Sequence, residues 1–209
     1  MVIFTSDNGG TQQYTSPLKG SKGQLYEGGI RVPLVVSWSG LKKPGSTCEV
    51  PVSSIDWYPT LLDLAGVQPP QGQVLDGISL MPAFRGATAL SRTRLFWHFP
   101  CYVGQAAPSS AVREGDFKLI EFFEEGGKRE LYNLRTDPNE DHDLSTELPE
   151  QAATLYRTLQ TWQSETGAAL PRGANHKNDP TAERPRGGQE NNGNQGQGKA
   201  KKNSMKSGK

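Results

Sequence analysis

Over residues 1–90, the pattern of apolar and polar positions favours strands and one helix in an α/β arrangement. The chain opens on a continuous apolar run, Val2 to Thr5, and a second run extends from Arg31 to Trp38. Such runs are typical of strands inside a parallel sheet that is covered on both faces. The polar, glycine-rich stretch from Thr11 to Gly29 predicts a long loop between them. A buried first strand with nothing before it suggests that the sequence begins inside a domain.

A helix is predicted between Ser53 and Gly66. Ser53 to Asp56 has the pattern of a capping box, and Gly66 is a stop signal. Apolar residues recur at the spacing of one helical face, namely Ile55, Tyr58, Leu61, Leu62 and Ala65. We expect this face to pack on the sheet.

Over residues 91–170, the pattern changes to several β runs followed by a helix. The runs are Arg94 to Phe99, Ser110 to Arg113, Phe117 to Phe123 and Arg129 to Leu134. Turn-forming residues at Glu114 to Asp116 and at Glu125 to Gly127 predict antiparallel hairpins. The helix begins near Pro149, ends at Gly167 and carries Ala152, Leu155, Leu159 and Trp162 on one side. This segment therefore reads as a small antiparallel α+β subdomain.

The last segment, residues 171–209, has a different composition. It holds 9 Lys and Arg against 3 Asp and Glu, whereas residues 1–170 hold 14 against 19, so the net charge of +1 averages a basic tail and an acidic body. The tail lacks Val, Ile, Leu, Phe, Tyr and Trp, so it cannot offset the entropy of ordering and is predicted to be disordered. A solvated extension is the favoured interpretation, and contact with nucleic acid or another polyanion is the weaker one.

Several protein classes are excluded by what the sequence lacks. No apolar run approaches the roughly 18 residues that cross a bilayer, so we expect a soluble chain with no membrane partner. Cys48 and Cys101 are too few for a disulfide scaffold and do not form a CxxC pair.

Two short segments carry candidate chemistry. Asp7 and Asn8 follow the first strand, and their side-chain oxygens suit Ca²⁺ or Mg²⁺, although the tetrapeptide Asp-Asn-Gly-Gly is also a common turn. Lys22 lies in a glycine-rich loop where a cation can approach an anion closely, although a lysine in a loop is more often simply solvated. The spacing is not that of a P-loop.

Six blocks in order resemble the second half of type I sulfatases of the alkaline-phosphatase-like superfamily, including arylsulfatases and N-acetylgalactosamine-6-sulfatases. They are Phe4 to Gly9, Lys22 to Pro33, Val52 to Leu62, Leu75 to Leu80, Trp97 to Pro100 and Glu130 to Leu134. The resemblance covers residues 2 to about 170 and implies the C-terminal part of that α/β fold: an incomplete sulfatase α/β portion over 1–90, the antiparallel subdomain over 91–170 and the tail over 171–209.

The resemblance also implies roles for particular residues. Asp7 and Asn8 become ligands of Ca²⁺, with Mg²⁺ as the alternative, and Lys22 becomes the catalytic cation that contacts the sulfate group. Arg31 is expected to be structural and to fix the loop against nearby carboxylates. His98 is a candidate substrate contact, with a partly buried structural histidine as the competing interpretation. Cys101 stands where close relatives often have a second histidine, which weakens the case for substrate contacts there.

The sulfatase nucleophile is a formylglycine made from the first residue of a Cys- or Ser-x-Pro-x-Arg segment, and the 209 residues contain no such segment. The family therefore implies a sulfuric ester hydrolase acting on sulfated carbohydrates or aryl sulfates, present as a fragment that is expected to be inactive alone. The alternatives are a phosphodiesterase or phosphonate hydrolase of the same superfamily and a non-catalytic module that binds sulfated glycans. An exported location, periplasmic or extracellular, follows by family analogy only.

Overall fold

A computed structural model describes residues 1–103, 106–124 and 126–171. The predicted basic tail lies outside the described residues, apart from its first position. In the described ranges, no helix is both long enough and apolar enough to cross a membrane.

The first part of the chain contains a two-stranded sheet and short helices. Strands β1 (Val2–Thr5) and β2 (Leu34–Ser37) pair antiparallel, with Phe4 opposite Val35. Helices α1 (Glu27–Ile30), α2 (Trp57–Ala65) and α3 (Met81–Phe84) follow the chain, with 3₁₀ turns at Gln12–Tyr14 and Ser54–Asp56. The predicted loop from Thr11 to Gly29 thus contains a helical turn and the start of α1.

The prediction of a buried parallel first strand is wrong. Strand β1 pairs antiparallel with β2, and Val2, Phe4 and Val35 are 68%, 65% and 61% exposed. Successive side chains on a strand point to opposite faces, so these three share the outward face of the sheet. An apolar run signals a preference for burial, but it does not specify which strand pairs with it or in which direction.

The capping box predicted at Ser53 is present, but the predicted orientation of α2 is wrong. Ile55, Tyr58 and Leu61 are 49%, 45% and 46% exposed, and the buried face carries Asp56 and Thr60 instead. The polar side chains are buried because they satisfy backbone groups of the segment that leads into α3. Thr60 Oγ1 accepts a hydrogen bond from the backbone N–H of Leu80, for example, at 2.8 Å.

Asp56 is the centre of that buried polar region. Its carboxylate is fully buried and pairs with both terminal nitrogens of Arg92, at 2.6 and 2.7 Å. It also accepts hydrogen bonds from the backbone N–H groups of Ser53 at 2.8 Å and Ile78 at 3.1 Å. A bidentate, buried pair of this kind fixes the segment rigidly.

The second part of the chain confirms the antiparallel prediction. Strands β3 (Arg94–Phe99), β4 (Ser109–Glu114), β5 (Phe117–Phe122) and β6 (Arg129–Asn133) form a meander in the order β3-β4-β5-β6. Helix α4 spans Pro149–Thr166 and ends at Gly167, as predicted, and this glycine has the left-handed conformation. Of the two predicted hairpin turns, the one around Gly115 is present, whereas Glu125 of the other lies outside the described residues.

The four-stranded sheet is covered on both faces, by different elements. On one face, Val112, Leu119 and Leu131 pack against Leu155 and Leu159 of α4. On the opposite face, the buried residues Ala111, Ile120 and Tyr132 contact Leu25, with Tyr26 and Ile30 packed against them. The segment that contains Lys22 and α1 is therefore the second covering layer of this sheet. We call the two sides the α4 face and the loop face.

Candidate functional site

Asp7 and Asn8 form a turn directly after β1. The Ser6 hydroxyl donates a hydrogen bond to the Asn8 carbonyl oxygen at 2.8 Å, and Asn8 Nδ2 donates to the Gly9 carbonyl oxygen at the same distance. Asp7 is exposed, and within the described residues its carboxylate has no hydrogen-bond or ion-pair partner. The Asp7 carboxylate and the Asn8 Oδ1 are thus oxygen donors that the turn does not itself use.

Backbone hydrogen bonds join this turn to the loop that carries Lys22. The N–H of Lys22 donates to the carbonyl oxygen of Gly10 at 2.8 Å, and the N–H of Gly9 donates to that of Gly29 at 3.0 Å. Lys22 itself is exposed. The structure therefore brings three of the predicted site residues, Asp7, Asn8 and Lys22, to one set of adjoining loops.

Glycines make this approach of backbones achievable. A methyl group at Gly9 would collide with the carbonyl oxygen of Gly28 and with the backbone of Gly29. A methyl group at Gly28 would likewise meet the Gly20 carbonyl, and one at Gly29 the Gln24 carbonyl. These glycines have ordinary negative φ, so the requirement is for space, not for an unusual backbone conformation.

The Lys22 loop is anchored to the loop face of the sheet on both sides of Lys22. On one side, Lys19 Nζ donates to the Tyr132 hydroxyl at 2.9 Å and to the Glu140 carbonyl oxygen at 3.3 Å. On the other side, the Tyr26 hydroxyl donates to Glu130 Oε2 at 2.6 Å. Both anchors link residues that are more than a hundred positions apart in the chain.

A buried ionic cluster adds a third anchor. Lys118 Nζ lies 2.9 Å from Glu27 Oε1 and 2.7 Å from Glu140 Oε1, and none of these three side chains is more than 5% exposed. Glu140 Oε2 also accepts the backbone N–H of Glu27 at 2.6 Å. Burial raises the pKa of Glu140, although the neighbouring Lys118 opposes the shift. Arg31 approaches Glu27 from the solvent side at 3.7 Å, which agrees with the structural role expected for it.

Hydrogen bonding next to this cluster shifts the pKa values of Glu130 and Tyr132. Burial acts to raise the pKa of Glu130, but hydrogen bonds from Tyr26, Lys128 and Tyr132 outweigh it and hold that pKa below its usual value. Burial and the hydrogen bond to Glu130 raise the pKa of Tyr132 far above its usual value. At neutral pH, Glu130 is thus an anion that accepts hydrogen bonds from the hydroxyl groups of Tyr26 and Tyr132.

The Asp7–Asn8 turn fits part of a calcium site. Carboxylate and amide oxygens are the ligands that Ca²⁺ prefers, but the ion takes about six to eight of them. Across the described ranges, no three His, Cys, Asp or Glu side chains are grouped so that they could hold a metal ion. These two residues would therefore contribute only a fraction of a coordination shell.

Comparison with known families gives a direct match to this region of the chain. Residues 21–165 match the family model described as N-sulphoglucosamine sulphohydrolase, C-terminal. The chain belongs to the sulfatase family. The match spans the Lys22 loop, the antiparallel sheet and most of α4, so the sulfatase resemblance inferred from the six blocks is confirmed.

Individual sulfatases show the same relationship. A sulfatase from Formosa agariphila is 38% identical over an alignment of 180 positions that covers 78% of this chain and 32% of that protein. Human arylsulfatase A is 34% identical over an alignment of 171 positions that covers 69% of this chain and 33% of that protein. The chain thus spans about a third of the length of these relatives.

Solved structures confirm the fold. The structure of Ps i-CgsB has a TM-score of 0.67 and 29% identity, and the match covers 77% of this chain and 35% of that one. The structure of BT4656 in complex with its substrate D-glucosamine-2-N,6-O-disulfate has a TM-score of 0.58 and 27% identity, with 74% and 30% covered. The α/β assignment with an antiparallel C-terminal sheet is therefore confirmed for this sulfatase chain.

His98 is not brought to the same place as the other sulfatase candidates. It pairs with Ser110 across β3 and β4, and its ring lies 6.3 Å from that of Trp162, so it belongs to the α4 face. Its Nδ1 is 2.6 Å from Ser110 Oγ and its Nε2 is 2.9 Å from the Ala169 carbonyl oxygen. Both ring nitrogens thus have intramolecular partners, which favours the structural interpretation. A substrate contact by His98 stays a prediction.

Sequence reasoning missed the residues that hold the Lys22 loop. Lys118 and Glu140 carry no recognisable motif, and Lys118 reads as a polar interruption in a β run. A weak signal existed in strand β5. Successive side chains of a strand point to opposite faces, so Lys118 lies on the face opposite to Leu119 and on the same face as Ile120. A charged residue on an otherwise apolar face of a central strand calls for a buried partner.

Proposed function

We propose that this chain supplies part of the active site of a sulfuric ester hydrolase whose substrates are sulfated carbohydrates or aryl sulfates. One observation carries the proposal: the hydrogen bond from the Lys22 N–H to the Gly10 carbonyl, which holds a lysine beside the Asp7–Asn8 turn. A lysine on the loop that adjoins a turn with hard oxygen ligands is suited to an anionic ester held between a cation and a metal ion.

The residues have separate tasks in this proposal. Asp7 and Asn8 would hold Ca²⁺, with Mg²⁺ as the alternative, and the bound ion would polarise a sulfate oxygen and orient the ester. Lys22 would donate hydrogen bonds to the sulfate oxygens and stabilise the negative charge that develops on them during transfer. The family's formylglycine nucleophile has no precursor segment in the 209 residues, so no nucleophilic role is assigned to this chain.

The relatives support the substrate class. Human arylsulfatase A and human N-acetylglucosamine-6-sulfatase, the latter 45% identical over 91 residues, are sulfatases by name. BT4656 is described with a disulfated glucosamine as its substrate. By family analogy alone, we extend the proposal to an exported location.

The test is equilibrium binding of 4-nitrocatechol sulfate to the full chain in Ca²⁺ buffer, measured by isothermal titration calorimetry. Lys22→Ala should weaken binding by at least about tenfold, since a hydrogen bond from a charged group is worth about 1.5–3 kcal/mol. Lys43→Ala, which removes another exposed lysine, is the matched control and should leave the affinity unchanged. Equal affinity of the Lys22→Ala and wild-type chains would refute the proposal. Tighter binding of bis(4-nitrophenyl) phosphate than of the sulfate would favour phosphodiester chemistry instead.

A further inference from the structure

Lys22 lies on an exposed loop, yet a cation that stabilises a transferring sulfuryl group must be held in a fixed place. The loop has little secondary structure of its own between Lys19 and α1. Its order therefore depends on contacts outside the loop. Those contacts converge on one face of the antiparallel sheet.

We infer that Lys118 and Glu140 are positioning residues for Lys22, and that the buried cluster they form with Glu27 locks the Lys22 loop onto the sheet. This inference rests on the proposed function only for its consequence in sulfate binding. The locking itself is a property of the fold.

The geometry supports a lock in preference to a general stabilising contact. Glu140 is linked to α1 in two ways. Its carboxylate accepts a hydrogen bond from the Glu27 N–H at 2.6 Å, and both this carboxylate and that of Glu27 form an ion pair with Lys118. Its own backbone carbonyl accepts Lys19 Nζ at 3.3 Å, so one residue contacts both ends of the loop. Lys22 lies between those two ends in the sequence.

Lys118, the residue that β5 contributes to the cluster, is also tightly constrained. Lys118 is fully buried in β5, on the same face as Ile120, so its charge is shielded from solvent. A buried ammonium without its carboxylates is strongly unfavourable, so this ion cluster holds α1 at one position on the sheet. The left-handed backbone of Glu140, with φ of 61°, is consistent with a side chain held at one place by its partners.

Connection to Lys22 runs through the backbone. The N–H of Gly28, one residue after Glu27, donates to the Lys19 carbonyl at 2.8 Å, and the N–H of Gln24 donates to the Ser21 carbonyl at 2.9 Å. Displacing α1 would therefore release the turn around Lys22 and its hydrogen bond to Gly10. The cluster thus acts on Lys22 through the loop, without contact to substrate.

Hydrogen exchange of backbone amides in the full chain tests the lock without any ligand. Lys118→Met removes the charge and keeps the length of the side chain. We expect the amides of Lys22, Gly28 and Gly29 to lose protection by at least about tenfold more than the amides of α4. Arg92→Met is the matched control, because it breaks a comparable buried pair with Asp56 that is remote from the loop in the hydrogen-bond network. It should lower overall protection without a preference for the loop.

Glu140→Gln is a milder second variant in case Lys118→Met does not fold. It retains an acceptor for the Glu27 N–H and loses the charge, so a smaller loss confined to the same amides is expected. Uniform loss of protection in both variants, or loop amides as protected as in the wild type, would overturn the inference.

A second arm separates this inference from the proposed function. The affinity for 4-nitrocatechol sulfate should fall in Glu140→Gln although Lys22 is intact. If the loop amides open but Lys22→Ala binds the sulfate ester as the wild type does, the lock is supported and the sulfate role of Lys22 is refuted. If the loop stays protected, the lock is refuted whatever the binding result.

Discussion

Replacing Gly9 by alanine tests the packing that joins the Asp7–Asn8 turn to the Lys22 loop. The added methyl group would collide with the Gly28 carbonyl oxygen and with the Gly29 backbone. Backbone atoms cannot rotate out of the way as a side chain can, so the turn must separate from α1. Separation breaks the 3.0 Å hydrogen bond from the Gly9 N–H to the Gly29 carbonyl oxygen.

The expected change in the free energy of unfolding is the sum of three contributions. Overpacking costs about 1–3 kcal/mol and the lost hydrogen bond about 1 kcal/mol, whereas the reduced entropy of the unfolded chain returns about 0.4–1 kcal/mol. The free energy of unfolding should therefore fall by about 1.5–3 kcal/mol in Gly9→Ala. Gly10→Ala is the matched control, because its methyl group would lie 3.2 Å from the Thr15 side chain. Its effect should stay within about 1 kcal/mol of zero.

Urea unfolding, followed by tryptophan fluorescence, measures both variants under identical conditions. The slope of the free energy against urea should stay constant, so that a shift in midpoint reports stability alone. Terbium luminescence in the same samples reports whether the Asp7–Asn8 turn binds an ion that substitutes for Ca²⁺, as proposed. Equal stability of Gly9→Ala and Gly10→Ala would refute the close backbone packing described for this site.

Two further predictions concern the sheet that carries the loop. Hydrogen bonds hold the pKa of Glu130 below its usual value of 4.5, so its contribution to stability is present above that pH and is lost as the pH falls through the lower folded value. Glu130→Gln should accordingly reduce the loss of stability between neutral and acid pH in urea titrations, and an unchanged pH dependence would contradict this. His98→Phe should lower the free energy of unfolding by about 1–3 kcal/mol, because it leaves the Ser110 hydroxyl and the Ala169 carbonyl without this partner. It should leave the affinity for 4-nitrocatechol sulfate unchanged, and a clear loss of affinity would instead support a substrate contact.

The local elements could be predicted because their signals are local. The strand Arg94–Phe99 and the helix from Pro149 to its stop at Gly167 have the bounds expected from alternation, helical spacing and capping residues. Asp7, Asn8 and Lys22 could be named as candidates for a related reason, since each belongs to a short motif whose residues are adjacent in the sequence.

The buried face was predicted correctly for α4, where Leu155 and Leu159 pack on the sheet, but not for other elements. Helix α2 and the 3₁₀ turn before it bury Thr60 and Asp56. They expose Ile55, Tyr58 and Leu61, which the amphipathic spacing placed on the buried face. Strand β1 pairs with β2 in the antiparallel direction, and an apolar run alone does not distinguish this from a parallel partner. His98 lies on the α4 face, away from the Lys22 loop. The alternation of side chains along β3 defines two faces of the strand, but it does not show which element covers each face.

By itself, the sequence determined the order of the elements, the sulfatase motifs and the glycines that such a tight loop needs. Only the tertiary structure decided that the Lys22 loop adjoins the Asp7–Asn8 turn and that Lys118 and Glu140 hold that loop. The contacts of Glu27 with Lys118 and with Glu140 join residues that are 91 and 113 positions apart in the sequence. Their partners are selected by strand register and by the need to neutralise buried charge, and both are properties of the assembled fold.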